Sequence, residues 1–166
     1  MVRDKLNDYL GLPYFTNIGR HKTFSKNNAI VGKGGAKEIA LYTIELANLS
    51  NIKLLDLTPQ QIYNFQKKNH LGIDCSGLVC HLLDLKLDIR KTSANILTSS
   101  PISKSVKKLQ PDDLIRQKNG KHVLLVLDVN KDLITYVHSS RDTKGVVIQT
   151  KNIKDIENQG FWRINK

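Results

Sequence analysis

The segment Gly72-Ile73-Asp74-Cys75-Ser76-Gly77-Leu78-Val79 carries the residue types that nucleophilic catalysis needs. Asp74 is a strong helix N-cap, because its carboxylate accepts N–H groups that the first turn leaves unpaired. Leu78, Val79, Leu82 and Leu83 fall three, four, seven and eight positions after Cys75, the spacing of one helix face. The pattern predicts a helix that starts after Asp74 and places Cys75 in its first turn, at the edge of the buried face. Free N–H groups and the positive helix end favour a thiolate there. The same N–H groups could hydrogen-bond an oxyanion, and the small Ser76 and Gly77 leave room for a carbonyl. A buried structural cysteine is the competing reading. Cys80 lies about 140° round the helix from Cys75, too far for a disulfide, and reads as packing.

A nucleophilic cysteine needs a base within hydrogen-bond reach, and the base needs an orienting group. The chain offers His21, His70, His81, His122 and His138. His122 opens the apolar run Val123–Leu127, and His138 closes the run Leu133–Val137. If these two runs form a hairpin centred on Asn130, Asp128 faces Asp132 and the two histidines stand opposite each other on one face. An odd register would put them on opposite faces, so the parity of the pairing decides the site. Two solvent-facing rim histidines are the alternative. Zinc is a poor fit, because Cys75, Cys80, His122 and His138 lack the usual ligand spacings.

The elements that must hold these residues read as helices first and strands second. Residues 2–10 suit a short amphipathic helix, and residues 16–35 read as loop. Gly32-Lys33-Gly34-Gly35 has neither the spacing of a phosphate loop nor a strand before it, and reads as an entry to the next helix. Ala36–Leu49 has helical apolar spacing, and Thr58-Pro59-Gln60-Gln61 is a helix start with a capping box. Residues 91–111 read as loop with one helical turn. Strands are expected at Leu114–Arg116, Val123–Leu127, Leu133–Val137, Gly145–Thr150 and Phe161–Ile164, with Asn119-Gly120 as a hairpin turn. This is an α+β fold, with N-terminal helices packed on an antiparallel sheet of about five strands.

The 166 residues suit one domain with a real core, at 40% hydrophobic and 25% charged residues. No apolar run is long enough to span a membrane, and no secretion signal is visible, so a cytoplasmic setting is the default expectation. Two cysteines make no disulfide framework. The net charge of +11 is spread as +5, +3 and +3 over residues 1–70, 71–120 and 121–166, with no basic block longer than a pair. Such a field favours anionic partners without choosing among them.

The segment Gly72–Val79 resembles the nucleophile motif of the NlpC-type cysteine peptidases, papain-like enzymes that mostly cut peptidoglycan stem peptides. Gly120-Lys121-His122-Val123 resembles the strand that carries their catalytic histidine. Tyr136-Val137-His138-Ser139-Ser140 resembles the strand of their third polar residue. Leu109-Gln110-Pro111-Asp112-Asp113-Leu114 is similar to their Pro-Gly-Asp turn, with Asp112 in place of the glycine. The likeness covers about residues 70–150 and implies one papain-like domain, residues 1–166, with a helical insertion at about 20–70. It implies Cys75 as nucleophile, His122 as base and His138 as orienting group. The family's accessory tyrosine falls on Tyr14, in Leu10-Gly11-Leu12-Pro13-Tyr14-Phe15, or on Tyr63, twelve residues before Cys75; Tyr14 fits better. Asp74 and Ser76 would help bind a substrate's free amine.

The expectation is a monomeric thiol hydrolase without cofactor or metal, acting on a peptide or muropeptide. The alternative is a basic binding domain with an idle Cys–His site and a polyanion partner. One Trp, 6% aromatic residues and the lack of a basic stripe argue against nucleic acid.

Overall fold

The structure, a computed structural model, describes residues 2–16 and 27–165. The fold is α+β. Its helices are α1 (Val2–Leu6), α2 (Ala36–Leu49), α3 (Pro59–Lys68), α4 (Cys75–Leu82) and α5 (Ala94–Leu97). Its strands are β1 (Ser103–Val106), β2 (Leu114–Gln117), β3 (His122–Asn130), β4 (Leu133–Ser140), β5 (Gly145–Asn152) and β6 (Phe161–Ile164). Among the described residues no helix is long and apolar enough to cross a membrane.

Local sequence explains where the helices begin. The Thr58 hydroxyl accepts from Gln61 N–H while the Gln61 side chain accepts from Thr58 N–H, so the capping box closes and Pro59 sits in the first turn. Asp74 caps α4 by accepting from Gly77 N–H at 2.7 Å. Gly35 caps α2. Gly32 holds φ at +76°, and a Cβ there would sit 2.3 Å from the Phe15 carbonyl oxygen, so only glycine fits this crossing of two chain segments.

All six strands form one antiparallel sheet in the order β1-β6-β2-β3-β4-β5. Strand β3 lies inside it, and residues 122–127 are buried, as expected for an apolar run covered on both faces. One face carries Leu114, Val123, Leu125, Leu127, Val137 and Val146 against Cys75, Leu78, Val79 and Leu82 of α4. The other carries Ile115, Leu124, Val126, Ile134 and Tyr136, closed over by Leu109 and Ile156.

The sheet has one strand more than the sequence predicts. Ser103–Val106 reads as loop because only Ser103 is buried; it is an edge strand paired to β6, and edge strands tolerate polar residues. The Asn119-Gly120 turn is wider than a two-residue hairpin: Gln117 pairs with His122, and Lys118, Asn119 and Gly120 all have positive φ.

The β3–β4 register also differs from a turn centred on Asn130. Asn130 pairs with Leu133, so the turn is Lys131-Asp132, and Asp128 faces Thr135 rather than Asp132. That pairing has odd parity and would set His122 and His138 on opposite faces. The register then shifts between Val126 and Asp128, leaving Leu127 as a bulged extra residue, and continues with Val126 opposite Tyr136 and Leu125 opposite Val137. The bulge restores even parity. The two histidines therefore share a face, as diagonal neighbours rather than directly opposed residues.

Candidate active site

Cys75 opens α4 in the first turn, where the sequence places it. The backbone N–H groups of Val123 and Ser76 lie near enough to its Sγ to favour the thiolate. The Val123 contact locates the sulfur in the sheet. Val126 bonds the chain next to β2 through both its N–H and its C=O, to Asp113 and Asp112, so in alternation Val123 N–H points towards β4. The β3–β4 ladder stops at Leu125–Val137. Beyond it the Cys75 sulfur stands near the Val123 N–H, and the Ser139 hydroxyl donates to Ile73 O at 2.7 Å. The segment Ile73–Cys75 thus wedges into the seam where β3 and β4 part, one peptide bond from His122.

His122 and His138 are both buried. His122 Nε2 lies 3.0 Å from His138 Nδ1, and the rings meet edge to face at 5.2 Å. His138 Nε2 lies 3.2 Å from Gln149 Oε1, which also accepts from the Tyr136 hydroxyl at 3.0 Å. With Nε2 engaged by His138, His122 has Nδ1 left for a proton donor. Gln149 has no local sequence signal; it faces Tyr136 across β4–β5 and is found only once the register is known.

The residue that sequence reasoning missed most completely is Lys33. Lys33 is buried, and its ammonium donates to Asp74 Oδ1 at 2.9 Å, Ser76 Oγ at 2.6 Å and Thr92 O at 3.1 Å. The amine that Asp74 and Ser76 hold in this structure is the chain's own, not one from a substrate. The glycines around Lys33 let this short loop run close enough to α4 for the side chain to be swallowed: a Cβ at Gly77 would lie 2.9 Å from Gly32 O.

Tyr14 belongs to a strap clamped beside the site. Gly11 N–H donates to Val146 O, Val146 N–H to Leu12 O and Ile73 N–H to Pro13 O, and Tyr14 bridges to Ile73 in parallel. Burial and the nearby Cys75 and Asp74 push the Tyr14 phenol up to about 12, so it remains a donor. Tyr63, the other candidate, spends its hydroxyl on Lys144 O at 2.7 Å.

Of the remaining histidines, His70 packs against Phe15, and His81 Nε2 reaches Lys33 O at 2.9 Å while its ring stacks on Tyr9. His21 lies outside the described residues. Cys80 is a free, buried thiol 3.7 Å from Thr92 Oγ1. Among the described residues no three His, Cys, Asp or Glu side chains converge to hold a metal ion.

The electrostatics correct one expectation. The helix end by itself favours a thiolate at rest. Instead burial, aided by Asp74, pushes the Cys75 thiol up to about 12, against the opposing pull of Lys33 and the two N–H donors. Burial, with His138 and Lys118, pushes His122 down to about 4, and burial also lowers His138. At rest the thiol and both imidazoles are neutral.

This has a consequence for stability. A histidine whose folded-state value is lowered from 6.5 to about 4 leaves the unfolded chain binding more protons between those values. Stability is therefore full above pH 6.5 and falls as pH drops towards 4, by about 3 kcal/mol at 1.36 kcal/mol per unit. The urea midpoint is expected to fall across that window. It should fall less in His122→Gln; an equal acid loss in that variant would refute the assignment.

No family model matches this chain, and no curated protein matches it.

Proposed function

We propose that the chain is a cysteine hydrolase of amide bonds, with Cys75 as nucleophile, His122 as general base and acid, and His138 as the group that orients His122. The observation that carries the reading is that the Cys75 sulfur reaches the backbone of Val123, the residue after His122, while the His122 and His138 imidazoles stand 3.0 Å apart. A rim histidine in water needs no such partner.

The chemistry runs from the neutral resting state. As Sγ attacks the carbonyl carbon, the Cys75 proton passes to His122 Nδ1. The C=O becomes an oxyanion, which the Cys75 N–H and the Tyr14 hydroxyl stabilise; this N–H has no acceptor among the described residues. The imidazolium then protonates the leaving amine as the C–N bond breaks, leaving a thioester on Cys75. Water attacks the thioester, giving its proton to His122, and the acid product leaves as Sγ recovers a proton. Burial makes the charged intermediates costly unless both charges form together, so proton transfer and attack are coupled.

The substrate class is a short peptide of the peptidoglycan type, on the resemblance of the segments around Cys75, His122 and His138 to the NlpC-type peptidases. Lys33 fills the contacts of Asp74 and Ser76, so these two residues hold the nucleophile's turn in shape and are not assigned a substrate amine. Mass spectrometry of muropeptides incubated with the wild type and with Cys75→Ser tests the reading. Cleavage by the wild type alone supports it. No cleavage of any muropeptide or of a casein digest, with salt-sensitive binding to a polyanion instead, overturns it.

A further inference from the structure

We infer that Gln149 is a positioning residue for this reaction: its side-chain oxygen fixes where the protons sit on both imidazoles, so that His122 Nδ1 is left bare to receive the Cys75 proton. The inference rests on the hydrolase reading of Cys75 and His122.

The argument is one of proton counting. Gln149 lies on β5 opposite Tyr136, two residues from His138 on the same face of the sheet. Its Oε1 receives the Tyr136 hydroxyl at 3.0 Å and stands 3.2 Å from His138 Nε2. A carbonyl oxygen only accepts, so His138 must carry its proton on Nε2. A neutral imidazole has one N–H, so His138 Nδ1 is an acceptor. His122 Nε2, 3.0 Å away, must then be the donor. His122 Nδ1 is bare as a result, and it is the nitrogen not engaged by His138.

Reversing the amide reverses every step. An NH2 facing His138 would demand a bare Nε2, a proton on His138 Nδ1, a bare His122 Nε2 and a proton on His122 Nδ1. A ring in that form cannot take a proton from Cys75 through Nδ1. The structure holds the unreversed amide, with the Tyr136 hydroxyl donating to the same oxygen. When His122 becomes an imidazolium, its Nε2–H keeps donating to His138, so the relay carries the charge without rearranging.

Long-range proton–nitrogen correlation spectra read the tautomers directly, on the whole chain with and without substitution at Gln149. The wild type is expected to hold both His122 and His138 with the proton on Nε2. Gln149→Leu, which has no acceptor, should mix the His138 tautomers and slow iodoacetamide alkylation of Cys75, in a Cys80→Ala background, by about tenfold. Gln149→Glu, which keeps an acceptor, should preserve both the tautomers and the rate. A wild type with the His122 proton on Nδ1 overturns the inference. So does a Gln149→Leu variant whose tautomers and alkylation rate match the wild type. Muropeptides left uncut by a wild type with the expected tautomers would sink the hydrolase reading and leave this assignment standing.

Discussion

On a substrate that the wild type cleaves, Cys75→Ala is expected to abolish turnover, and His122→Ala to fall to within about tenfold of that floor. Nucleophile and base act as one unit: a neutral thiol with its value near 12 has almost no thiolate at pH 7 and does little without a proton acceptor. The double variant should be no worse than the worse single one. His138→Ala should cost on the order of 10²–10⁴-fold, because a ring without its partner samples the wrong tautomer and rotates away from the thiol. His138→Asn should recover most of that loss, since an amide oxygen can accept from His122 Nε2–H as His138 Nδ1 does. Steady-state rates of the five variants give the order. Equal losses for His138→Ala and His138→Asn would show that the second imidazole does more than orient the first. A fully active His122→Ala would remove the base from the mechanism.

The parts of this site that were legible in the sequence are those whose cause is local. Asp74 caps α4 because of its own side chain, and the spacing of Leu78, Val79 and Leu82 points Cys75 at the core without help from elsewhere. His122 stands out because a continuous apolar run follows it, and that run is β3. The pairing of His122 with His138 could be framed as a parity question but not answered, because the answer depends on Leu127. Nothing marks Leu127 as the bulged residue; it is one apolar residue among five, and only the conflict between the Lys131-Asp132 turn and the face shared by Leu125 and Val137 makes the extra residue necessary. Gln149 and Lys33 are further removed. Each acts on a partner through tertiary contact, Gln149 on a neighbouring strand and Lys33 on a helix 41 residues away in sequence, and neither has a neighbour in the chain that announces it.

Lys33 also breaks the rule that lysines stay in water, and the cost of that burial makes it the position of largest expected effect on stability. Its ammonium and the Asp74 carboxylate meet at 2.8 Å, with side chains 7% and 4% exposed. Bringing two such charges out of water is expensive, and their attraction with the added bonds to Ser76 Oγ and Thr92 O roughly offsets the expense. Removing one partner leaves that balance broken. Lys33→Met keeps the buried volume but strands the Asp74 carboxylate beside Cys75, and is expected to cost about 3–5 kcal/mol, a fall in melting temperature on the order of 10 °C for a chain of this size. The stranded charge should also raise the Cys75 thiol further, since Asp74 already pushes it up and Lys33 pulls it down. Asp74→Asn in the same background removes the charge, keeps an acceptor for Gly77 N–H, and should restore most of the stability. Urea and thermal unfolding of wild type, Lys33→Met and Lys33→Met with Asp74→Asn separate the contributions. If Lys33→Met unfolds within about 1 kcal/mol of the wild type, water reaches Asp74 and the ion pair is not a buried one. If the double variant stays as weak as the single, the loss comes from the lost bonds to Ser76 and Thr92, and the loop Gly32–Gly35 is held by those contacts instead of by charge.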